Sequence, residues 1–297
     1  MAFDVALAQT PNQVVNMAMS GRAVVFVALL CVMTASAFGK KPSKIREDFD
    51  LAYGKHERQK LDVVWSVENT AAPVVVFFHG GSWRWGVKDF YREIGEEFAK
   101  HGVTCILADY RLYPEVRFPA FVEDAATVLK WTRDHVDRYN GDPSNIFLMG
   151  HSSGAHIISH LALDEKYLEA IGGDFSWIKG VVGMSCPYTF QPSSEWMYKD
   201  IFFPLADSPL VLPISHVDGD EPPFLVLHGR HDYLVDVKQA EAFVKRIESK
   251  GGEVTHKIFN FHGHFSLTRR ITSWYMPPRG ILHEVLAFVE VTSASES

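Results

Sequence analysis

Three short apolar runs, PVVVFF at 73–78, VTCILA at 103–108 and NIFLM at 145–149, constrain what this chain can fold into. Each is short for a helix and apolar at nearly every position, so both of its faces must be covered. A strand covered on both faces belongs to a parallel sheet, because crossover helices pack on either side of it. The intervening segments have helical spacing. Residues 88–101 are stopped by Gly102, and 118–139 place Val122, Ala125, Ala126, Leu129 and Trp131 as core candidates. The pattern continues with a helix at 153–163, strands at 178–184 and 224–228, a helix at 235–250, a strand at 254–259 and a helix at 282–289. Strands separated by helices imply right-handed crossovers, and so an α/β fold with a mostly parallel central sheet flanked on both faces. An alternating stretch within 46–67 reads as an edge hairpin, and 188–223, rich in Pro, aromatics and Asp, as a small cap or lid insertion. One domain, 38–290, holds all of this, and the polar tail 291–297 is expected to fray.

The chain has 297 residues, 47% of them hydrophobic, and a net charge of −7. That charge, without any block of Lys or Arg, excludes nucleic acid as a partner. The other strongly apolar run, 23–38, is 16 residues long and contains Ala35-Ser36-Ala37 near its end. It falls short of the roughly 20 residues of a membrane span, so 1–37 reads as a leader cleaved after Ala37 and the protein as secreted or periplasmic. An uncleaved anchor is the alternative, and membrane association follows only from it. Cys105 and Cys186 lie in apolar strand contexts, the usual setting of buried free thiols.

NIFLM runs directly into Gly150-His151-Ser152-Ser153-Gly154, a G-x-S-x-G that opens the helix at 153–163. In that context the serine stands at the carboxyl end of a strand, in the crevice where open α/β sheets bind ligands. Ser152 is therefore the candidate nucleophile. Ser153, in the first helical turn, offers its backbone N–H as an oxyanion donor. His79-Gly80-Gly81-Ser82-Trp83 follows PVVVFF, and its two glycines let backbone N–H groups face a ligand without Cβ obstruction. A serine hydroxyl needs a base, oriented in turn by a carboxylate. The order Ser, acid, His is met by Asp232, just past the strand at 224–228, and by a histidine in the loop after 254–259. His262 and His264 both qualify there. Asp236 is the nearest rival to Asp232, but it lies deeper toward the following helix. His151, beside Ser152, and His156, one turn into a buried helix, are poor bases. Trp83, Tyr188, Phe190, Trp196, Phe202 and Phe203 are candidates to line a substrate pocket. No H-E-x-x-H or third ligand accompanies His262 and His264, so no metal is expected.

HGGSW (79–83), DYRLYPE (109–115), GDPSNIFLMGHSSGAH (141–156), LHGRHD (227–232) and GHF (263–265) together resemble the α/β-hydrolase superfamily. Within it they are similar to the carboxylesterase, kynurenine-formamidase and prenylcysteine-methylesterase group. The resemblance implies Ser152 as nucleophile, Asp232 as acid and His264, rather than His262, as base. It implies oxyanion donors at Gly80, Gly81 and Ser153, and no cofactor. The chain has HGGSW where the hormone-sensitive-lipase branch has HGGG, and GHSSG where that branch has GDSAG. The implied activity is a serine carboxylesterase on short-to-medium acyl esters, acetyl or feruloyl among them, free or polymer-linked. A formamidase using the same triad is the alternative, and a non-catalytic binding protein a more distant one.

Overall fold

The computed structural model describes residues 44–269, 271 and 280–294. The leader expected at 1–37 lies outside the described residues. No helix among the described residues is long and apolar enough to cross a membrane.

An eight-stranded sheet forms the centre, in the order β1-β2-β4-β3-β5-β6-β7-β8. Its strands are β1 (Ile45–Ala52), β2 (Lys60–Ser66), β3 (Ala72–Phe78), β4 (Thr104–Ala108), β5 (Gly141–His151), β6 (Gly180–Met184), β7 (Phe224–Gly229) and β8 (Val254–Phe259). β1 and β2 form the expected hairpin, and β2 joins β4 antiparallel. From β4 to β8 every pairing is parallel. This is the arrangement of the α/β-hydrolase fold.

Side chains alternate across each strand, and the continuous apolar runs accordingly feed two cores. Val74, Val76, Phe78, Leu148 and Val226 face α2 (Ala120–His135), α3 (Ser153–Leu163), α4 (Val237–Lys250) and the segment 188–223. Val75, Phe77, Phe147, Met149 and Leu227 face α1 (Arg92–Lys100) and α5 (Ile281–Ala294). Cys105 and Cys186 are buried free thiols. α5 continues to Ala294, into the stretch expected to fray, and Ser293 Oγ secures that turn with contacts of 2.7 Å to the Val289 carbonyl and 3.0 Å to Asn145 Oδ1.

Residues 188–223 do intervene between β6 and β7, as isolated helical turns at Pro192–Ser194, Trp196–Lys199, Pro209–Val211 and Pro213–His216. They are fastened to α3 by two buried histidines. His156 Nε2 and His160 Nε2 both donate to the Val211 carbonyl, at 3.0 and 3.1 Å. Burial holds both rings neutral, driving His156 down to about 3 and His160 well below its ordinary value.

His151 is likewise buried and held at about 3. Unfolded, each ring takes up a proton near pH 6.5, whereas His151 and His156 in the fold take one only near pH 3. Between those values the unfolded state binds more protons. Stability present above pH 6.5 is therefore lost as pH falls, at about 1.4 kcal/mol per pH unit for each ring. Thermal unfolding measured from pH 7 to pH 4.5 should show that slope. His156→Gln, which keeps an N–H for Val211 and removes the titrating ring, should flatten it by about one ring's share.

Candidate active site

β5 ends in an abrupt turn. Ser152 has φ 54° and ψ −120°, a left-handed conformation that non-glycine residues seldom adopt. The serine N–H donates to the Met184 carbonyl at 2.9 Å, and its own carbonyl accepts from His156 N at 3.0 Å. The flanking glycines follow from crowding. A Cβ on Gly150 would lie 2.6 Å from Ala155 N, and one on Gly154 only 2.2 Å from the Phe78 carbonyl oxygen. α3 thus starts directly against the end of β3, where the HGGSW loop begins.

That loop carries three successive residues with positive φ: Gly81 at 144°, Ser82 at 52° and Trp83 at 56°. A Cβ on Gly81 would come 1.9 Å from the Trp85 carbonyl oxygen, so only glycine fits. His79 braces the loop, with Nδ1 donating to the Gly80 carbonyl at 2.8 Å and Nε2 3.1 Å from Asp109 Oδ1. Gly80 is closely packed, since a Cβ there would lie 2.9 Å from His151 Nδ1. Its backbone also bonds the phenol of Tyr91, whose pKa burial raises and this bond lowers in part.

The other two candidates arrive from the ends of β7 and β8. Their loops are stitched by His231 N donating to the His262 carbonyl at 2.9 Å. His264 Nε2 lies 2.9 Å from Ser152 Oγ, and Nδ1 lies 2.8 Å from Asp232 Oδ2. Asp232 Oδ1 accepts from the N–H groups of Leu234 and Val235 at 3.0 and 2.9 Å. Burial works against ionisation of Asp232, but the hydrogen bonds from His264 and Val235 outweigh it and hold the carboxyl at about 2. Of the two histidines left open by spacing, it is His264 that meets Ser152. Asp236 is instead the N-cap of α4, its side chain accepting from Lys238 N.

His151 supports the site from beside it rather than serving as a base. Its Nε2 donates to the His264 carbonyl at 2.9 Å, fixing the backbone of the residue that faces Ser152. Burial first, and the neighbouring His264 second, keep its ring uncharged, so no fixed positive charge opposes a cation on His264. The Ser153 side chain turns inward, 3.5 Å from Tyr110 Oη.

A recess of about 150 Å³ opens over Ser152 and His264, lined by Ser82, Trp83, Phe190 and Tyr198 among others. Two of the six aromatic candidates, Trp83 and Phe190, are therefore there. Tyr188 and Phe202 are fully buried, Tyr188 stacked on Phe243 at 3.8 Å and Phe202 against Trp83 at 4.9 Å. Trp196 and Phe203 are exposed and take no part in the lining. Tyr198 and Leu234 line the recess instead. Among the described residues no group of three or more His, Cys, Asp or Glu side chains could hold a metal ion.

Residues 61–247, more than half of the chain, match the BD-FAE family model, and the chain belongs to that family. Ser152 and Asp232 fall inside the matched stretch, and His264 lies beyond it. The chain is 31% identical over 219 residues to Esterase LipC of Mycobacterium tuberculosis, covering 66% of this chain and 54% of that protein. It is 28% identical over 236 residues to a probable isoprenylcysteine alpha-carbonyl methylesterase of Arabidopsis thaliana, covering 72% and 49%. It spans about half the length of the curated relatives it matches. Its fold is similar to that of a truncated carbohydrate esterase from gut microbiota, with TM-score 0.72, 21% identity, and coverage of 86% of this chain and 100% of that one. It is similar also to Esterase B from Lactobacillus rhamnosis, with TM-score 0.70, 20% identity, and coverage of 93% and 97%.

Gly154→Ala should be destabilising, because its new methyl meets the backbone of Phe78 and His79 rather than a movable side chain. A loss of about 1–3 kcal/mol is expected for such overpacking, measured by urea unfolding.

Proposed function

We propose that the protein is a serine carboxylic ester hydrolase that cleaves short-chain acyl esters through an acyl-enzyme on Ser152. The observation that carries this reading is the unbroken chain of contacts from Ser152 through His264 to Asp232, at 2.9 and 2.8 Å. His264 Nε2 takes the Ser152 proton as Oγ bonds to the ester carbonyl carbon. The carbonyl π electrons move onto oxygen, which the N–H groups of Gly81 and Ser153 stabilise. The tetrahedral intermediate then collapses, the bond to the alcohol oxygen breaks, and His264 returns the proton to that oxygen. Water repeats the sequence on the acyl-enzyme and frees the acid. Asp232, ionised throughout, keeps the proton on Nδ1 and stabilises the transient imidazolium.

Donor placement supports Gly81 and Ser153 over Gly80. The first N–H groups of α3 have no partner within the helix, whereas the Gly80 backbone is engaged with Tyr91. Export is part of the proposal on the sequence alone, through the run 23–38 and its Ala35-Ser36-Ala37. A mature N-terminus at Phe38, read by mass spectrometry, tests it.

Ser152→Ala should lower kcat for p-nitrophenyl acetate by about a millionfold while the circular dichroism spectrum is unchanged. Activity retained by that folded variant would overturn the mechanism. Asp232→Asn should lower kcat by about 10⁴-fold. With the carboxyl held at about 2, wild-type Asp232 stays ionised across the working range.

A further inference from the structure

Two recesses meet at Leu234 and His264. The first is the recess of about 150 Å³ over Ser152. The second, of about 390 Å³, is lined by His231, Tyr233 and Phe265 beside those shared residues, and Ser152 is not in its wall.

The reaction itself assigns a side to each. A carbonyl carbon bonded to Ser152 Oγ has three other substituents in the tetrahedral intermediate. The oxyanion points to the N–H groups of Gly81 and Ser153. The leaving oxygen must come within hydrogen-bond reach of His264 Nε2 to receive its proton. The alcohol therefore departs over His264, toward the second recess, and the acyl chain takes the first.

The first recess is braced along one wall. Ser82 Oγ and Tyr198 Oη are 3.4 Å apart, and Arg84 donates to the Met197 carbonyl at 2.5 Å, so the turn Trp196–Lys199 is fastened to the HGGSW loop. The Trp83 ring is held edge-on by His156 at 5.0 Å and Phe202 at 4.9 Å, so that wall has no room to retreat. A cavity of roughly 150 Å³ is the size that takes one benzene ring. An acetyl to butyryl group fits within it, and a feruloyl group extends beyond it. The second recess has no such limit. Tyr233 is 92% exposed and Phe265 64% exposed, and both line it beside His264.

We infer that the enzyme divides its ester unequally: a small acyl group fills the narrower recess over Ser152, and a bulky, ring-bearing alcohol lies on the wider shelf of Tyr233 and Phe265. Tyr198 sets the acyl limit and Tyr233 binds the alcohol. The inference rests on the serine-esterase reading, and the test separates the two.

The isomeric esters 2-naphthylmethyl acetate and methyl 2-naphthylacetate carry the same ring on opposite sides of the ester group. Wild-type enzyme should favour the acetate in kcat/KM by about tenfold or more, the discrimination a fitted apolar pocket provides. Tyr233→Ala should lower the ratio of 2-naphthylmethyl acetate to ethyl acetate by about three- to tenfold, the range of one aromatic contact. Tyr198→Ala should raise the ratio of p-nitrophenyl octanoate to acetate by about tenfold. Equal rates on the two isomers, or preference for the methyl ester, overturns the assignment without any variant. Ratios unmoved in both folded variants overturn the residue roles. Hydrolysis that disappears in Ser152→Ala leaves the serine-esterase reading intact in each of those cases. Wild-type enzyme that cleaves none of the esters overturns both.

Discussion

The site depends on one close approach of backbone to backbone. α3 begins so near the end of β3 that Gly154 stands against the Phe78 and His79 carbonyl oxygens, with no space for a Cβ. That contact brings the first N–H groups of α3 to the same side as the HGGSW loop. It also forces the turn at Ser152 to be sharp, which is why the serine is held at φ 54°. A longer, relaxed turn would lower the strain but move the hydroxyl away from the loop.

Histidines surround this point, and burial sorts them. His151, His156 and His160 are enclosed, their pKa values pushed down by desolvation, and each spends its Nε2–H on a backbone carbonyl. Such rings act as neutral donors that join segments distant in sequence: His151 to the loop of His264, His156 and His160 to the segment around Val211. His264 differs because both nitrogens meet side chains that can exchange or orient a proton. Proximity in sequence to Ser152 therefore picks out histidines that do not meet its hydroxyl, and the one that does comes from the loop after the edge strand β8.

How much of this was legible in the sequence depends on the length scale of the cause. The strands and crossover helices follow from local apolar runs, and Ser152 and Asp232 from their positions at strand ends. His264 was separable from His262 only by resemblance, since two residues of loop spacing carry no orientation. The aromatic wall was the least legible part. Tyr188, Phe202, Phe190 and Tyr198 all lie in an insertion without periodicity, where composition marks a residue as apolar but not as core or lining. Tyr188 is core because it stacks on Phe243 of α4, a contact 55 residues away that no local pattern encodes. The extension of α5 to Ala294 has the same origin, since Ser293 finds Asn145 across 148 residues.

Strain and support are distributed together. Ser82, Trp83 and Ser152 all occupy left-handed backbone conformations, each costing about 1–3 kcal/mol. The compensation comes from groups that do no chemistry: Met184 O and His156 N on Ser152, His79 and Asp109 beneath the loop, and His231 N on the His262 carbonyl. These contacts span separate elements, so the strained residues relax only if the surrounding packing gives way. The geometry around Ser152 is therefore held by the fold itself.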